Sequence, residues 1–216
     1  MSNKITLYFI RHGETYLNKY KKMQGWSDAP LTQQGIQDAI ATGKRLLNQK
    51  FDVIYTSDLG RTLTTAKLIK EENIYRNETN IIPKQEFRET FFGSLDGSFS
   101  DYVYGMIAEK LNIEVSDIFK TLSLEEIADA LKEVDKTKEA ESQKEFEQRI
   151  NKGVAEVLKD NKNSDSKVMI VTHGNVIRTI VNMVDSSIPV KQELKNSGVT
   201  TIEFTDGKGK VVGFNE

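Results

Sequence analysis

Three short apolar runs, residues 5–10, 51–56 and 167–172, constrain this chain most, because each is rich in β-branched and aromatic residues and too short for a stable helix. Runs without polar alternation suit strands buried on both faces of a parallel sheet. Helical spacing appears between and after them. Ile36, Ala39, Ile40, Gly43, Leu46 and Leu47 follow the first run, and residues 59–72 follow the second, with Ser57 or Asp58 as the cap. Phe146, Ile150, Val154, Val157 and Leu158 precede the third run behind a capping-box pair, Ser142 and Glu145, and Val176, Ile177, Ile180, Val181 and Val184 come after it. Residues 199–205 and 211–214, separated by Asp206-Gly207-Lys208-Gly209, predict a closing hairpin. Strand and helix in alternation, joined by right-handed crossovers, predict an α/β fold: a three-layer α/β/α sandwich with a mostly parallel central sheet.

Residues 94–142 interrupt that alternation. They carry a net charge of −7, from five Lys against twelve Asp and Glu, and contain no Arg. Helical patterns occur near 101–111 and 124–134, and no Pro- or Gly-rich linker flanks the stretch. This predicts a small helical cap inserted into a single domain spanning 1–216.

The 216 residues include no Cys, which removes disulfides, Cys-ligated zinc and a thiol nucleophile together and suits a reducing cytoplasm. Thirty Lys and Arg against thirty-two Asp and Glu leave a net charge of −2, with no global field to attract nucleic acid or an anionic membrane. No apolar run approaches the roughly 18 residues that span a bilayer. The first apolar run leads straight into Arg11 without a cleavage pattern and does not read as a signal peptide. The expected partner is a small molecule rather than nucleic acid or membrane, on a monomer or homodimer.

Both histidines, His12 and His173, stand at the carboxyl end of an apolar run and directly before a glycine. In an open parallel sheet ligands bind outside the carboxyl ends of the strands, so both imidazoles belong where a site is expected. Arg11 precedes the first, and Arg61 falls in the first turn of a helix, where free N–H groups already favour an anion. Guanidiniums converging on imidazoles describe a phosphate site. The competing reading is a divalent cation held by His12, His173 and Glu89, which two adjacent positive charges oppose. For Arg61 alone the plain alternative is a surface salt bridge, and for Glu89 a loop carboxylate paired with Arg88.

The residues Leu7-Tyr8-Phe9-Ile10-Arg11-His12-Gly13-Glu14-Thr15 with Asn18, then Gly25-Trp26-Ser27-Asp28-Ala29-Pro30-Leu31-Thr32, resemble the N-terminal signature of the histidine phosphatase superfamily, the phosphoglycerate-mutase-like proteins. Ser57-Asp58-Leu59-Gly60-Arg61-Thr62, Arg88-Glu89 with Phe92-Gly93, Glu141-Ser142 and Val171-Thr172-His173-Gly174-Asn175 resemble its later motifs in the same order. The resemblance implies that His12 is a nucleophile forming a phosphohistidine, that Arg11, Arg61 and His173 clamp the phosphate, and that Asn18 and the Gly174 amide donate to it. Thr15 either donates to the phosphate or caps the next turn. Glu89 is implied as general acid and then general base, with no metal and no cofactor. The implied enzyme is a phosphomonoesterase of the histidine acid phosphatase type.

Mutases of this family carry Arg-His-Tyr-Gly after the catalytic Glu and an Arg pair in the cap, whereas this chain has Thr90-Phe91-Phe92-Gly93 and no Arg from 94 to 142. The expectation is a phosphatase acting on small phosphorylated metabolites. A cofactor-dependent phosphoglycerate mutase and a non-catalytic phosphoprotein-binding domain are the alternatives. Trp26 reads as a packed loop anchor, and Phe91 and Phe92 as packing between cap and sheet. The acidic cap is expected to repel a second phosphate, against Lys19, Lys21 and Lys22 at the rim.

Overall fold

The computed structural model describes residues 4–162 and 165–216. Its strands are β1 (Lys4–Arg11), β2 (Val53–Thr56), β3 (Ile81–Pro83), β4 (Ser166–Thr172), β5 (Val199–Thr205) and β6 (Lys208–Gly213). They form one sheet in the order β3-β2-β4-β1-β5-β6. The pairs β3-β2, β2-β4 and β4-β1 are parallel, and β1-β5 and β5-β6 are antiparallel. The helices are α1 (Tyr16–Lys19), α2 (Gln33–Arg45), α3 (Gly60–Glu72), α4 (Ser100–Leu111), α5 (Ile118–Thr121), α6 (Leu124–Val134), α7 (Gln143–Asp160) and α8 (Gly174–Val184).

Alternation along β1 sends Leu7 and Phe9 into a core shared with Phe146, Ile150, Ile177 and Ile180 of α7 and α8. Tyr8 and Ile10 meet the opposite core, with Ala39, Ala66 and Ile69 of α2 and α3. The chain moves toward β3 with α2 and α3 on one face and returns to β4 with α7 on the other, which keeps every crossover the same hand. This is the expected α/β sandwich.

Several local expectations change. Neither Ser57 nor Asp58 caps α3: Leu59 is the N-cap, and Asp28 Oδ2 takes the Gly60 N–H at 2.6 Å. Both candidates are engaged elsewhere, Ser57 with His173 and Asp58 with Arg88. The hairpin turn is shorter than expected, since β6 already begins at Lys208. Asp206 and Gly207 make a two-residue turn with φ of +50° and +80°, the left-handed geometry that matches strand twist. Edge strand β3 is absent from the apolar pattern because it is three residues long and half exposed, and its Pro83 is tolerated at the edge.

Helices α4, α5 and α6 pack over their own core of Phe92, Val103, Ile107, Ile118, Ile127 and Leu131. Two carboxylates fasten this cap. Asp135, fully buried at the end of α6, accepts from the N–H groups of Ser94, Thr137, Glu139 and Ala140. Asp96 accepts from the N–H groups of Gly25, Trp26 and Ser27 at 2.8–3.0 Å. Main-chain bonds between residues 21–23 and 97–100 close the seam, including Met23 N to Ser98 O at 2.8 Å. Among the described residues no helix is long and apolar enough to cross a membrane.

Candidate active site

Strands β1 and β4 are paired in register with Arg11 opposite Thr172, so His12 and His173 each follow the last paired residue of neighbouring strands. The His12 N–H donates to Thr172 O at 2.9 Å, and the two rings stand 5.2 Å apart at 63°. Topology places the two residues side by side although 160 positions separate them in sequence.

His12 is 3% exposed, and its Nδ1 lies 2.8 Å from Gly13 O. A carbonyl only accepts, so Nδ1 carries the proton and Nε2 keeps its lone pair. Burial, then the charges of Arg61 and Arg11, hold the imidazole pKa well below its usual value, which makes His12 neutral at pH 7. Asn196 Nδ2 donates to His12 O at 3.0 Å and steadies the backbone.

Arg61 is 1% exposed, fixed by Gly25 O at 2.7 Å, Ser27 O at 2.8 Å and Asp28 Oδ1 at 3.1 Å. Burial beside the active cleft, not a surface salt bridge, is its setting. Arg61 Nη2 also stands 3.1 Å from His173 Nδ1. Since guanidinium only donates, Nδ1 accepts and Nε2–H donates to Ser57 Oγ at 2.8 Å. Burial and Arg61 lower the His173 pKa well below its usual value. Both His173 nitrogens are therefore engaged, so the residue sits behind Arg61 rather than offering a free donor to the cleft, as the clamp expectation required.

Arg11 donates from Nη1 to Leu194 O. Its Nε, like that of Arg61, is a buried donor without a partner among the described residues. An orphaned buried N–H costs free energy that an anion arriving in the cleft relieves, so these two groups are what a phosphate oxygen would satisfy. Gly174, first residue of α8, adds an N–H at a helix N-terminus. A Cβ there would fall 2.9 Å from Arg178 Nη1 and 3.9 Å from Glu89 Oε2, so glycine keeps the floor of the cleft open.

Glu89 is 8% exposed, with Oε1 accepting from Thr90 N at 2.9 Å and Oε2 from Asn175 N at 3.2 Å. Burial raises its pKa above the ordinary carboxyl range, against the opposing pull of those two N–H groups and of Arg61 and Arg178. It is not paired with Arg88, which forms a bidentate ion pair with Asp58 at 2.6 Å. Asn18 lines the cleft with Oδ1 engaged by Thr15, leaving its Nδ2 as donor. Thr15 is corrected to the capping role: it is fully buried, accepts from Asn18 N and donates to Gln24 Oε1 at 2.6 Å, behind two residues that line the cleft.

Trp26 is an anchor, with Nε1 donating to Glu89 O at 2.9 Å and its ring held between Phe91 and the Arg88 guanidinium. Among the described residues no three His, Asp or Glu side chains are grouped to hold a metal ion, so His12, His173 and Glu89 do not make a ligand set. Of the acidic cap residues, Asp101 in the first turn of α4 stands at the rim with Arg11, Asn18, Lys21 and Lys22, as expected, but the deeper cavity is free of them. α4 and α6 turn their apolar stripes inward, and the cavity beneath them is lined by no Asp or Glu.

Three residues join the site that the sequence did not single out. Arg178 lines the cleft from one turn after Gly174 on α8, a spacing that points a long side chain back over the helix start. That signal was readable. Tyr104, reaching in from the cap, and Asp96, behind the loop that holds Arg61, come from tertiary convergence with no local sign.

The chain matches the model of the histidine phosphatase superfamily (branch 1) over residues 7–216. It is 28% identical to an uncharacterized phosphatase, PhoE, of Bacillus subtilis (strain 168), over 95% of this chain and 92% of that one. A crystal structure of phosphoglycerate mutase from Bacillus anthracis str. Sterne superposes with a TM-score of 0.92 at 30% identity, covering 100% of this chain and 94% of the other. A phosphoserine phosphatase variant from Entamoeba histolytica, in complex with phosphoserine, superposes with a TM-score of 0.74 at 28% identity, over 98% and 97%.

Proposed function

This chain belongs to the histidine phosphatase superfamily, branch 1, and from that premise we propose that it is a metal-independent phosphomonoester hydrolase working through a phosphohistidine on small phosphorylated metabolites. The observation that carries the reading is the state of His12: a buried neutral imidazole, with Nδ1–H held by Gly13 O and Nε2 free, beside two unpartnered guanidinium donors. Nε2 attacks phosphorus and the P–O bond to the alcohol breaks. Arg11, Arg61, the Gly174 amide and Asn18 Nδ2 take up charge on the non-bridging oxygens. Glu89, whose carboxyl burial biases toward the protonated form, gives its proton to the departing alkoxide. The resulting carboxylate then accepts a proton from water as that water attacks the phosphohistidine, releasing phosphate and restoring His12.

Mutase chemistry is the second reading, favoured by the mutase named among the similar structures. Hydrolysis is preferred because Thr90-Phe91-Phe92-Gly93 follows Glu89 and the adjoining cavity has a mainly apolar lining. Two measurements test the proposal. Phosphate release from a monoester should persist in excess EDTA, and rapid quenching should trap an acid-labile, base-stable adduct that His12→Ala abolishes. Activity restored only by a divalent ion, or isomerisation of phosphoglycerates primed by 2,3-bisphosphoglycerate outrunning phosphate release, would count against it.

A further inference from the structure

Behind Glu89, between α6, α8 and the start of α7, lies a second cavity of about 150 Å³. Phe92, Phe119, Leu124, Ile127, Ala128 and Leu131 supply its apolar wall, while Gln143, Thr179 and Lys191 add polar groups at its edge. Met23, Phe92, Tyr104, Asn175 and Arg178 line both this cavity and the phosphate cleft, so the two are continuous. Thr90 and Asn175, whose N–H groups hold the two Glu89 oxygens, also line it, which places its mouth on the side where Glu89 would meet a leaving oxygen. A mainly apolar cavity of this size has room for a benzene-sized group. The Tyr104 hydroxyl has no hydrogen-bond partner among the described residues, and Arg178 holds Val190 O and Gln192 O through Nε and Nη2, leaving Nη1 at the junction.

Resting on the reading that Glu89 faces the leaving group, we infer that this cavity is the subsite for the alcohol portion of the substrate, and that the preferred substrates are monophosphate esters bearing one apolar group of about six carbons, aromatic or aliphatic. The phosphate seats between Arg11 and Arg61, the ester oxygen lies toward Glu89, and the apolar group passes Tyr104 and Arg178 to pack under α6. A polyhydroxylated sugar would bury hydroxyls against Phe92, Phe119, Leu124 and Ile127, which offer them no side-chain partner, and is disfavoured.

Ethyl, butyl, hexyl and 2-phenylethyl phosphates test this, because their alkoxide leaving groups are nearly alike while the buried area differs. We expect kcat/KM to rise about three- to fourfold per methylene until the cavity is filled. In parallel, calorimetry with the matching alkylphosphonates, which cannot be hydrolysed, should show the same rise in affinity. Ala128→Phe, which puts a ring into the cavity, should flatten both series, and Ala128→Val should level them at a shorter chain. Equal kcat/KM and equal phosphonate affinity across the series overturn the subsite while leaving the hydrolase reading intact. Length-dependent phosphonate binding without turnover of any ester supports the subsite and overturns the hydrolase. Full length dependence in both Ala128 variants also overturns the assignment.

Discussion

Arg61 Nη2 and His173 Nδ1 are 3.1 Å apart, and this one contact fixes the tautomer of the imidazole and the aim of the guanidinium together. His173 cannot accept from Arg61 unless its Nε2 carries the proton, and Ser57 Oγ receives that proton's hydrogen bond. The group behind the phosphate site is thus a neutral histidine that holds a cation in place.

Removing the cation and removing its support should differ in degree. Arg61→Ala is expected to lower kcat/KM about 10²- to 10³-fold, the usual loss for a donor aimed at transition-state charge. Ser57→Ala, which frees His173 Nε2 and the Thr62 hydroxyl but leaves the guanidinium in place, should cost about tenfold or less. Steady-state kinetics on one monoester checks the order, and a larger loss for Ser57→Ala contradicts it.

Glu89 should reveal itself through the leaving group. Above its raised pKa it is ionised and cannot protonate an alkoxide, so kcat for an alkyl phosphate should fall on the alkaline side, while His12, with its lowered pKa, stays nucleophilic far into acid. Glu89→Gln should remove that alkaline limb and cost about 10²- to 10⁴-fold with alkyl esters. With 4-nitrophenyl phosphate, whose phenolate needs no proton, the same variant should give a burst of one equivalent followed by slow turnover. No burst would mean that Glu89 is not the base for the second step.

Asp96 offers a positioning effect of another kind. It fixes the N–H groups of Gly25, Trp26 and Ser27, and the carbonyls of Gly25 and Ser27 hold Arg61. Asp96→Ala should lower kcat/KM about 10- to 100-fold for alkyl and aryl phosphates alike. A loss confined to alkyl esters would connect Asp96 to Glu89 instead of to phosphate binding.

Stability should depend on pH through the two buried imidazoles. In the unfolded chain each titrates near its ordinary value of about 6.5, whereas both folded pKa values are lowered. The stability they contribute is therefore fully present above about pH 6.5 and falls below it, by at most about 2.7 kcal/mol per pH unit for two protons. Glu89, raised on folding, works in the opposite sense and offsets part of the slope. Urea melts from pH 7.5 to 5.5 should show the decline, and His173→Gln should reduce its slope. A flat profile contradicts both imidazole assignments.

At Asp135 a buried carboxylate gathers four backbone N–H groups and the Ser94 hydroxyl. Asp135→Ala strands these donors and should cost about 2–4 kcal/mol of folding free energy. Differential scanning calorimetry would show it, and a loss under about 0.5 kcal/mol would mean that water replaces the carboxylate freely.

Much of this was legible because the determinants are local. His12 and His173 are marked by apolar runs that stop at them, and Arg61 by its place in the first turn of a helix; β1-β4 pairing then brings the rest together. The cap charge misled about the deeper cavity because a count of charges carries no direction. Ser57 and Asp58 misled because a good capping side chain also makes a good tertiary partner, and here tertiary partners won. The apolar cavity had no signature because its walls come from segments far apart in sequence.

Strand β1 lies in the interior of the sheet, yet both of its hydrogen-bonded neighbours, β4 and β5, are encoded from residue 166 onward. At roughly 5–20 residues per second of synthesis, β1 waits on the order of 10–30 s for its first partner. During that interval the nascent chain exposes an apolar strand with two open edges and no assembled site. The arrangement that sets the histidines side by side thus leaves β1 unpaired through most of its own synthesis and delays all chemistry until β4 and β5 have been made.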